Sequence, residues 1–333
     1  METILSGMRP TGKLHLGNYL GAGINYVKMQ ETNNCFYFIA DYHALTTHTK
    51  SSELSSSISN VLAEYLAIGV DPNKATIYIQ SHVPQIPELY LLLNMFAYKG
   101  ELEKCVTFKE KARKEGQTLN AGLLTYPVLM AADILIHRAT KVPVGEDQQQ
   151  HIEMARNFAQ RFNHYYDAEI FPMPVAVSND ENLIRVPSLQ GTGKMSKSDA
   201  GDSAIYLVDD KDSIIKKVKR AKTDSGPTEP NQTKPIEIEN LFYLMELVSS
   251  KETYDHFDKA YNECNIRYGD FKTQLGEDMN NFIAPIRERY TALVNDRNYL
   301  LNVVKEGGEK ARESAQKTID LVRNVVGLNS MNS

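Results

Sequence analysis

Cysteine is scarce in this chain, and the three present, Cys35, Cys105 and Cys264, stand far apart with no CxxC pair and no neighbouring pair of histidines. Neither a disulfide framework nor a zinc site is encoded by that pattern, and the three are read as small buried hydrophobes. No apolar run approaches the length of a membrane span. The opening residues METILSGMRP supply neither a basic stretch nor an apolar one behind it. A membrane partner and a secretory leader are therefore not expected, and the chain is expected to stay in the cytoplasm. A surplus of positive charge is also missing: the formal net charge is −5. That argues against coating nucleic acid indiscriminately, so no DNA partner is expected, while a local basic patch remains open. Tryptophan is absent altogether, which by itself excludes nothing. No internal repeat or low-complexity tract is visible.

What is there has the balance of a soluble globular protein, with 42% apolar and 24% charged residues over 333 positions, enough for one large domain or two ordinary ones. The first half alternates. TILS from Thr3, CFYFIA from Cys35 and ATIYIQ from Ala75 read as buried strands, and KVPV from Lys141 as a short one. Residues 17–30 and 52–68 carry apolar side chains at helical spacing between them. In the second of these helices Ile58, Val61, Leu62, Tyr65 and Leu66 share a face, and Gly69 stands where a helix closes. Strand, helix, strand at this rhythm predicts an α/β fold, a doubly wound parallel sheet of Rossmann-like type. Beyond about residue 187 the pattern turns helical, with helices near 241–248, 254–263, 271–289 and 309–326 and no strand. The expected division is an α/β domain over 1–187, a glycine-rich loop over 188–202, and an α-helical domain over 203–333 whose last helix packs back on the first domain.

The first chemical signal is TGKLHLGN, Thr11 to Asn18, which follows the first strand and opens the first helix. A helix N-terminus at the carboxyl end of a sheet offers free N–H groups to an anion. Gly17 lets a flat ring approach the backbone, and His15 and Asn18 can donate to phosphate oxygens. The same residues also suit a plain tight turn with His15 as a helix cap. The second signal is GTGKMSKSDAG, Gly191 to Gly201, in which Lys194 and Lys197 with Ser196 and Ser198 present ammonium and hydroxyl donors on a glycine-hinged loop. On composition alone a solvated linker between domains is the better reading.

Together, HLGN and a downstream KMSKS resemble the paired signature of class I aminoacyl-tRNA synthetases. The stretches METILSG, HLGNYLGA, GLLTYPVLMAAD, PVGEDQQQH and KMSKSD are similar to those of the bacterial-type tryptophanyl branch. The resemblance implies activation of L-Trp by ATP with Mg²⁺, release of pyrophosphate, and transfer to tRNA(Trp), with His15, Asn18, Lys111, Lys194 and Lys197 as catalytic residues. It places ATP against Arg9, Pro10, Thr11, Gly17, Asn18, Gly145, Glu146, Asp147 and Val186, and against Lys194, Met195, Ser196, Lys197 and Ser198. Tryptophan falls to Leu5, His43, Tyr126, Met130, Asp133 and Gln148. The resemblance also implies a homodimer joined through about 81–125 and an anticodon-reading helical domain. The sequence departs from relatives that hold a four-cysteine iron–sulfur site.

The tyrosyl branch shares the fold and the reaction, and residues 126–133 separate the two. Tyr126, Met130 and Asp133 are spaced i, i+4, i+7 on one helix face. The tyrosyl family has glutamine at the middle position. A soft apolar Met130 and a carboxylate acceptor at Asp133 suit an indole, which has one N–H donor and cannot accept. The run KDSIIKKVKRAK, Lys211 to Lys222, gathers six basic residues on an expected helix. It reads either as a phosphate-tracking patch for tRNA or as an ordinary solvated face.

Overall fold

The structure is a computed structural model that describes residues 1–46, 50–112, 119–145, 148–177, 184–191, 193–195 and 203–329, the side chains of 110–112 excepted. Five parallel strands, β1 (Thr3–Met8), β2 (Asn34–Ile39), β3 (Ala75–Ile79), β4 (Lys141–Pro143) and β5 (Val175–Val177), make one sheet in the order β3-β2-β1-β4-β5. Parallel strands covered on both faces read as continuous apolar runs, and β2 and β3 are buried almost throughout. β5 is an addition to the expected set. It has three residues, none of them buried, and pairs with β4, Lys141 opposite Val175. The winding reverses at β1, which pairs with β2 on one side and β4 on the other. Such a switch point leaves a crevice at the carboxyl ends of the strands, where ligands bind.

The helix expected over 17–30 is interrupted. It runs as Leu16–Asn18, a π-helical turn Tyr19–Gly23, and Ile24–Met29. The turn packs closely at Gly23, where a Cβ would press to 3.0 Å from Ile68 and 3.2 Å from Tyr19. π turns of this kind are frequent at functional sites. The helix Ser51–Ala67 buries Val61, Leu62, Tyr65 and Leu66, with Ile58 packed beside them. Gly69 follows at φ 105, a left-handed position glycine takes without strain.

After residue 203 the described elements are the helices Lys211–Lys219, Ile236–Val248, Lys251–Asn262, Tyr268–Asn295 and Arg297–Val326. The last lies against β3 so closely that a Cβ on Gly307 would fall 1.8 Å from the Ile77 carbonyl oxygen. The sheet also divides the core. On one side Ile4, Tyr37 and Ile77 share a cluster with Leu241, Phe271 and Met279 of the later helices. On the other, Phe36 and Tyr78 share one with Val128, Phe158 and Ala311, Ile319 of the last helix. Among the described residues no helix is long and apolar enough to cross a membrane.

Two expectations are corrected. Cys35 and Cys105 are buried, but Cys264 is exposed, at φ 59, just beyond Lys251–Asn262. There it occupies a left-handed closing position, over which the Asn265 N–H reaches the Ala260 carbonyl at 2.8 Å. Backbone geometry at the helix end, not burial, decides its place. In the basic run, Lys217 faces inward with Ile214 and Val218. Its Nζ donates to the Ala204 carbonyl at 3.0 Å and to the Asp209 carboxylate at 2.7 Å. Lys217 is thus an internal anchor, while Lys211, Lys216, Lys219, Arg220 and Lys222 remain exposed.

Candidate active site

The segment before the first helix is held from three sides. Glu64, buried on the Ser51–Ala67 helix, accepts the Leu14 N–H at 2.9 Å. The Leu16 N–H donates to the Ile205 carbonyl at 2.8 Å, and the Leu207 N–H to the Leu14 carbonyl at 2.9 Å, so the chain beyond the lysine loop pairs with the HLGN strap. His15 and Asn18 then cap each other. His15 Nδ1 accepts the Asn18 N–H at 3.2 Å, and Asn18 Oδ1 accepts the His15 N–H at 3.1 Å. The capping role of His15 is therefore present. The same geometry sets His15, Gly17 and Asn18 on the wall of a cavity of about 490 Å³. A Cβ on Gly17 would stand 3.0 Å from the His15 ring and 3.5 Å from Val186, narrowing this wall. Gly21 and Ala22 of the π-helical turn line it too.

The opposite lip comes from the lysine loop. Its stem is a hairpin in which the Met195 N–H donates to the Val186 carbonyl at 2.8 Å and the Ser188 N–H to that of Gly193 at 3.1 Å. Gly191 and Gly193 turn it at φ 87 and 77. Val186 and Met195 are buried and Lys194 exposed, and all three line the cavity. Ser196, Lys197 and Ser198, with Glu146, Asp147 and the Lys111 side chain, lie outside the described residues.

A second cavity, of about 340 Å³, adjoins the first and shares Tyr26, Pro143, Val144 and Gly145 with it, at the ends of β1 and β4. Leu5, His43, Tyr126, Met130, Asp133 and Gln148 all line it. The i, i+4, i+7 spacing lies within the helix Ala121–Ile136, so three of these come from one face. Asp133 is fully buried. His43 Nε2 meets its Oδ2 at 2.9 Å, and Gln80 Nε2 donates to both its oxygens, at 2.8 and 3.0 Å. Burial pushes its carboxyl above the usual range, against the hydrogen bonds and charge of His43 and the hydrogen bond of Gln80, which pull it down. Arg9 lines this cavity as well. Pro10 and Thr11 form the turn beside it, closed by the Thr11 N–H on the Arg9 carbonyl at 2.8 Å.

Sequence reasoning missed three buried polar residues here. Gln80 follows the apolar edge strand β3 at its carboxyl end, a faint signal for a residue aimed at the crevice. Glu64 interrupts the apolar face VLAEYLA. His151 follows GEDQ by three positions and hydrogen-bonds both Gln148 Oε1, at 2.9 Å, and the Tyr126 hydroxyl. The two cavities together can seat a flat apolar group against a buried carboxylate, with its polar end at the shared wall. A polyanion then fits beyond, between a helix N-terminus and an ammonium.

A family model described as tRNA synthetases class I (W and Y) matches residues 2–284. The tryptophan–tRNA ligase of Porphyromonas gingivalis is 56% identical over 327 residues, 98% of this chain and 99% of that protein. That of Rickettsia felis is 45% identical over 330 residues, 98% of each. Among solved structures, the tryptophanyl-tRNA synthetase of Campylobacter jejuni complexed with ADP and tryptophan superposes with a TM-score of 0.89 at 34% identity, over 98% of this chain and 99% of that one.

Proposed function

The chain belongs to the class I tRNA synthetases of the tryptophan and tyrosine branch, and from that premise we propose how its two cavities divide the work of a tryptophan–tRNA ligase. The observation that supports the division most is that all six residues expected around tryptophan line the smaller cavity. The indole lies against Met130 and Leu5, with its N–H on Asp133, which keeps a lone pair for it beside His43 and Gln80. The amino acid's carboxylate then reaches the shared wall and meets the α-phosphate of ATP in the larger cavity. There a carboxylate oxygen attacks phosphorus, the bond to the bridging oxygen breaks, and pyrophosphate leaves. The Gly17 N–H, the His15 side chain and Lys194 stabilise the charge on the phosphate oxygens, held by a strap whose Leu16 and Asn18 N–H groups are already paired within the protein. Lys197, Ser196, Ser198 and Lys111 are assigned to the same phosphates, and Glu146 and Asp147, with Gly145, to the ribose. Val186 takes the adenine.

Mg²⁺ enters with ATP as part of the substrate. The described side chains facing the larger cavity are cationic or neutral, and Mg²⁺ is commonly held by substrate phosphates with few protein ligands. In the second step the terminal ribose hydroxyl of tRNA(Trp) attacks the acyl carbon of the adenylate, and AMP leaves.

Residues 203–333 are assigned to the anticodon arm. The exposed Lys216 and Lys219 track its phosphates, so replacing both with Ala should weaken tRNA binding and leave adenylate formation unchanged. Two copies associate through about 81–125, where Leu91, Met95, Tyr98 and Val106 are exposed apolar side chains. A monomer by sedimentation at micromolar concentration would remove that assignment. The test of the whole is ATP–pyrophosphate exchange across the twenty amino acids. Exchange dependent on Trp and Mg²⁺, and much weaker with Tyr or Phe, is the expected result. Equal or better exchange with Tyr would overturn the tryptophan assignment, and none with any amino acid would favour a noncatalytic RNA-binding role.

A further inference from the structure

We infer that Lys217 is a positioning residue for the phosphate end of the larger cavity, acting through the short strand that fixes the HLGN strap. The inference rests on the reading of that cavity given above. The Leu16 N–H on the Ile205 carbonyl, at 2.8 Å, and the Leu207 N–H on the Leu14 carbonyl, at 2.9 Å, flank His15 and set it directly opposite Tyr206. Backbone groups of neighbouring residues in an extended strand point to opposite sides, so those of Ala204 and Tyr206 face away from the strap. There they meet an ion pair. Lys217 Nζ donates to the Ala204 carbonyl at 3.0 Å and to Asp209 Oδ2 at 2.7 Å, and the same Oδ2 accepts the Tyr206 N–H at 2.9 Å. The ammonium also stands 4.8 Å from the centre of the Tyr206 ring. Arg287, on the helix Tyr268–Asn295, donates to the Asp209 carbonyl at 2.7 Å, so the pair is itself anchored. Both of its side chains are nearly buried. A buried ion pair is a weak source of stability, because apolar residues of the same shape often serve as well or better. What it adds is direction: an ammonium between two fixed acceptors sets where residues 204 and 206 lie, and through them where His15 stands on the cavity wall. Lys216 and Lys219 of the same helix point outward. One helix thus holds the strap from within and presents outside the side chains assigned to tRNA.

The chain contains no tryptophan, so binding of the amino acid can be followed by the ligand's own indole emission, separately from ATP. Lys217→Met keeps an apolar stem and removes the ammonium. It should lower kcat/KM for ATP in the exchange assay by roughly 10- to 100-fold, the scale of a slightly misplaced catalytic geometry, and leave the Kd for Trp unchanged. Lys217→Arg, which can donate to both oxygens, should recover most of that loss. In a His15→Ala background, Lys217→Met should cost far less than it does in wild type, because the group it places is gone. Asp209→Asn keeps an acceptor for the Tyr206 N–H and drops only the charge. It should give a smaller loss of the same kind, and it carries the comparison where Lys217→Met does not fold. Equal losses for ATP and Trp in either variant, or a cost that is the same with and without His15, would reduce the pair to packing and overturn the inference. Wild-type kinetics in Lys217→Met would overturn it as well. No exchange by the wild type with any amino acid would overturn the cavity reading, and this inference with it.

Discussion

The two cavities meet at one wall but are built by different means. Around the larger one the described contacts are mostly main chain: a helix N-terminus, the strap Leu14–Leu16 paired with Ile205–Leu207, and the hairpin stem of the lysine loop. Around the smaller one they are side chains, with Asp133 between His43 and Gln80, and His151 between Tyr126 and Gln148. A triphosphate is common to every enzyme that uses ATP, and a frame of paired main chain can hold its cradle whatever the neighbouring side chains are. An indole must be told from a phenol, which takes side chains of fixed donor and acceptor sense.

Breaking the first cavity should cost the most. Lys194→Ala removes a donor aimed at the phosphates, and kcat for adenylate formation should fall on the order of 10² to 10³-fold, with little change in KM for Trp. Wild-type single-turnover rates in the variant would return the loop to a linker. Next in size is Asp133→Ala, which should lower kcat/KM for Trp about 10- to 100-fold and leave ATP nearly untouched. The sharper measurement is selectivity against 1-methyltryptophan, which lacks the N–H. Wild type should reject it and the variant discriminate far less. If the full preference survives, Asp133 serves only its internal partners.

Stability changes sharpen the comparison from outside the cavities. Gly307→Ala puts a methyl group into the Ile77 carbonyl and should destabilise by about 1–3 kcal/mol in urea titration. At Gly269, within Tyr268–Asn295, a Cβ meets nothing within 4 Å, and Ala there should stabilise by about 0.5–1 kcal/mol. His137, one residue past the helix that carries Asp133, links Tyr78 at 3.0 Å to Ser314 of the last helix at 3.1 Å. Burial pulls its pKa down to about 3 from 6.5. The unfolded chain therefore binds a proton below 6.5 that the folded chain refuses until about 3. The stability His137 contributes is present above 6.5 and lost as pH falls through that window, by about 1.4 kcal/mol per pH unit. Denaturation of wild type and His137→Gln at pH 7, 6 and 5 should show that slope only in the wild type.

Much of this molecule is legible from its residues alone, and the exceptions share a cause. CFYFI and ATIYI announce strands because burial on both faces demands unbroken apolar runs, and Tyr126, Met130 and Asp133 share a face because 3.6 residues make a turn. β5 is too short and too exposed to carry such a pattern. Lys217 turns inward because of Asp209 and the Ala204 carbonyl, contacts that no charge count contains. Cys264 answers to the backbone of a helix end. Gln80 and His151 take their meaning from Asp133 and Tyr126, partners 53 and 25 positions away, which only the fold brings near.

The seat of Gly307 on β3 also has a meaning in time. β3 stands at the end of the sheet, and its rim is a row of main-chain groups able to pair with any passing strand. The helix laid against it, Arg297–Val326, is made well after the five described strands, which are complete by residue 177. At roughly 5–20 residues per second, that order leaves the rim bare for roughly 7 to 30 seconds of every synthesis. The nascent chain's exposure to aggregation is thus set by the Arg297–Val326 helix, and a released chain truncated before Arg297 should pair with its neighbours, detectable as sedimenting aggregates that the full chain does not form.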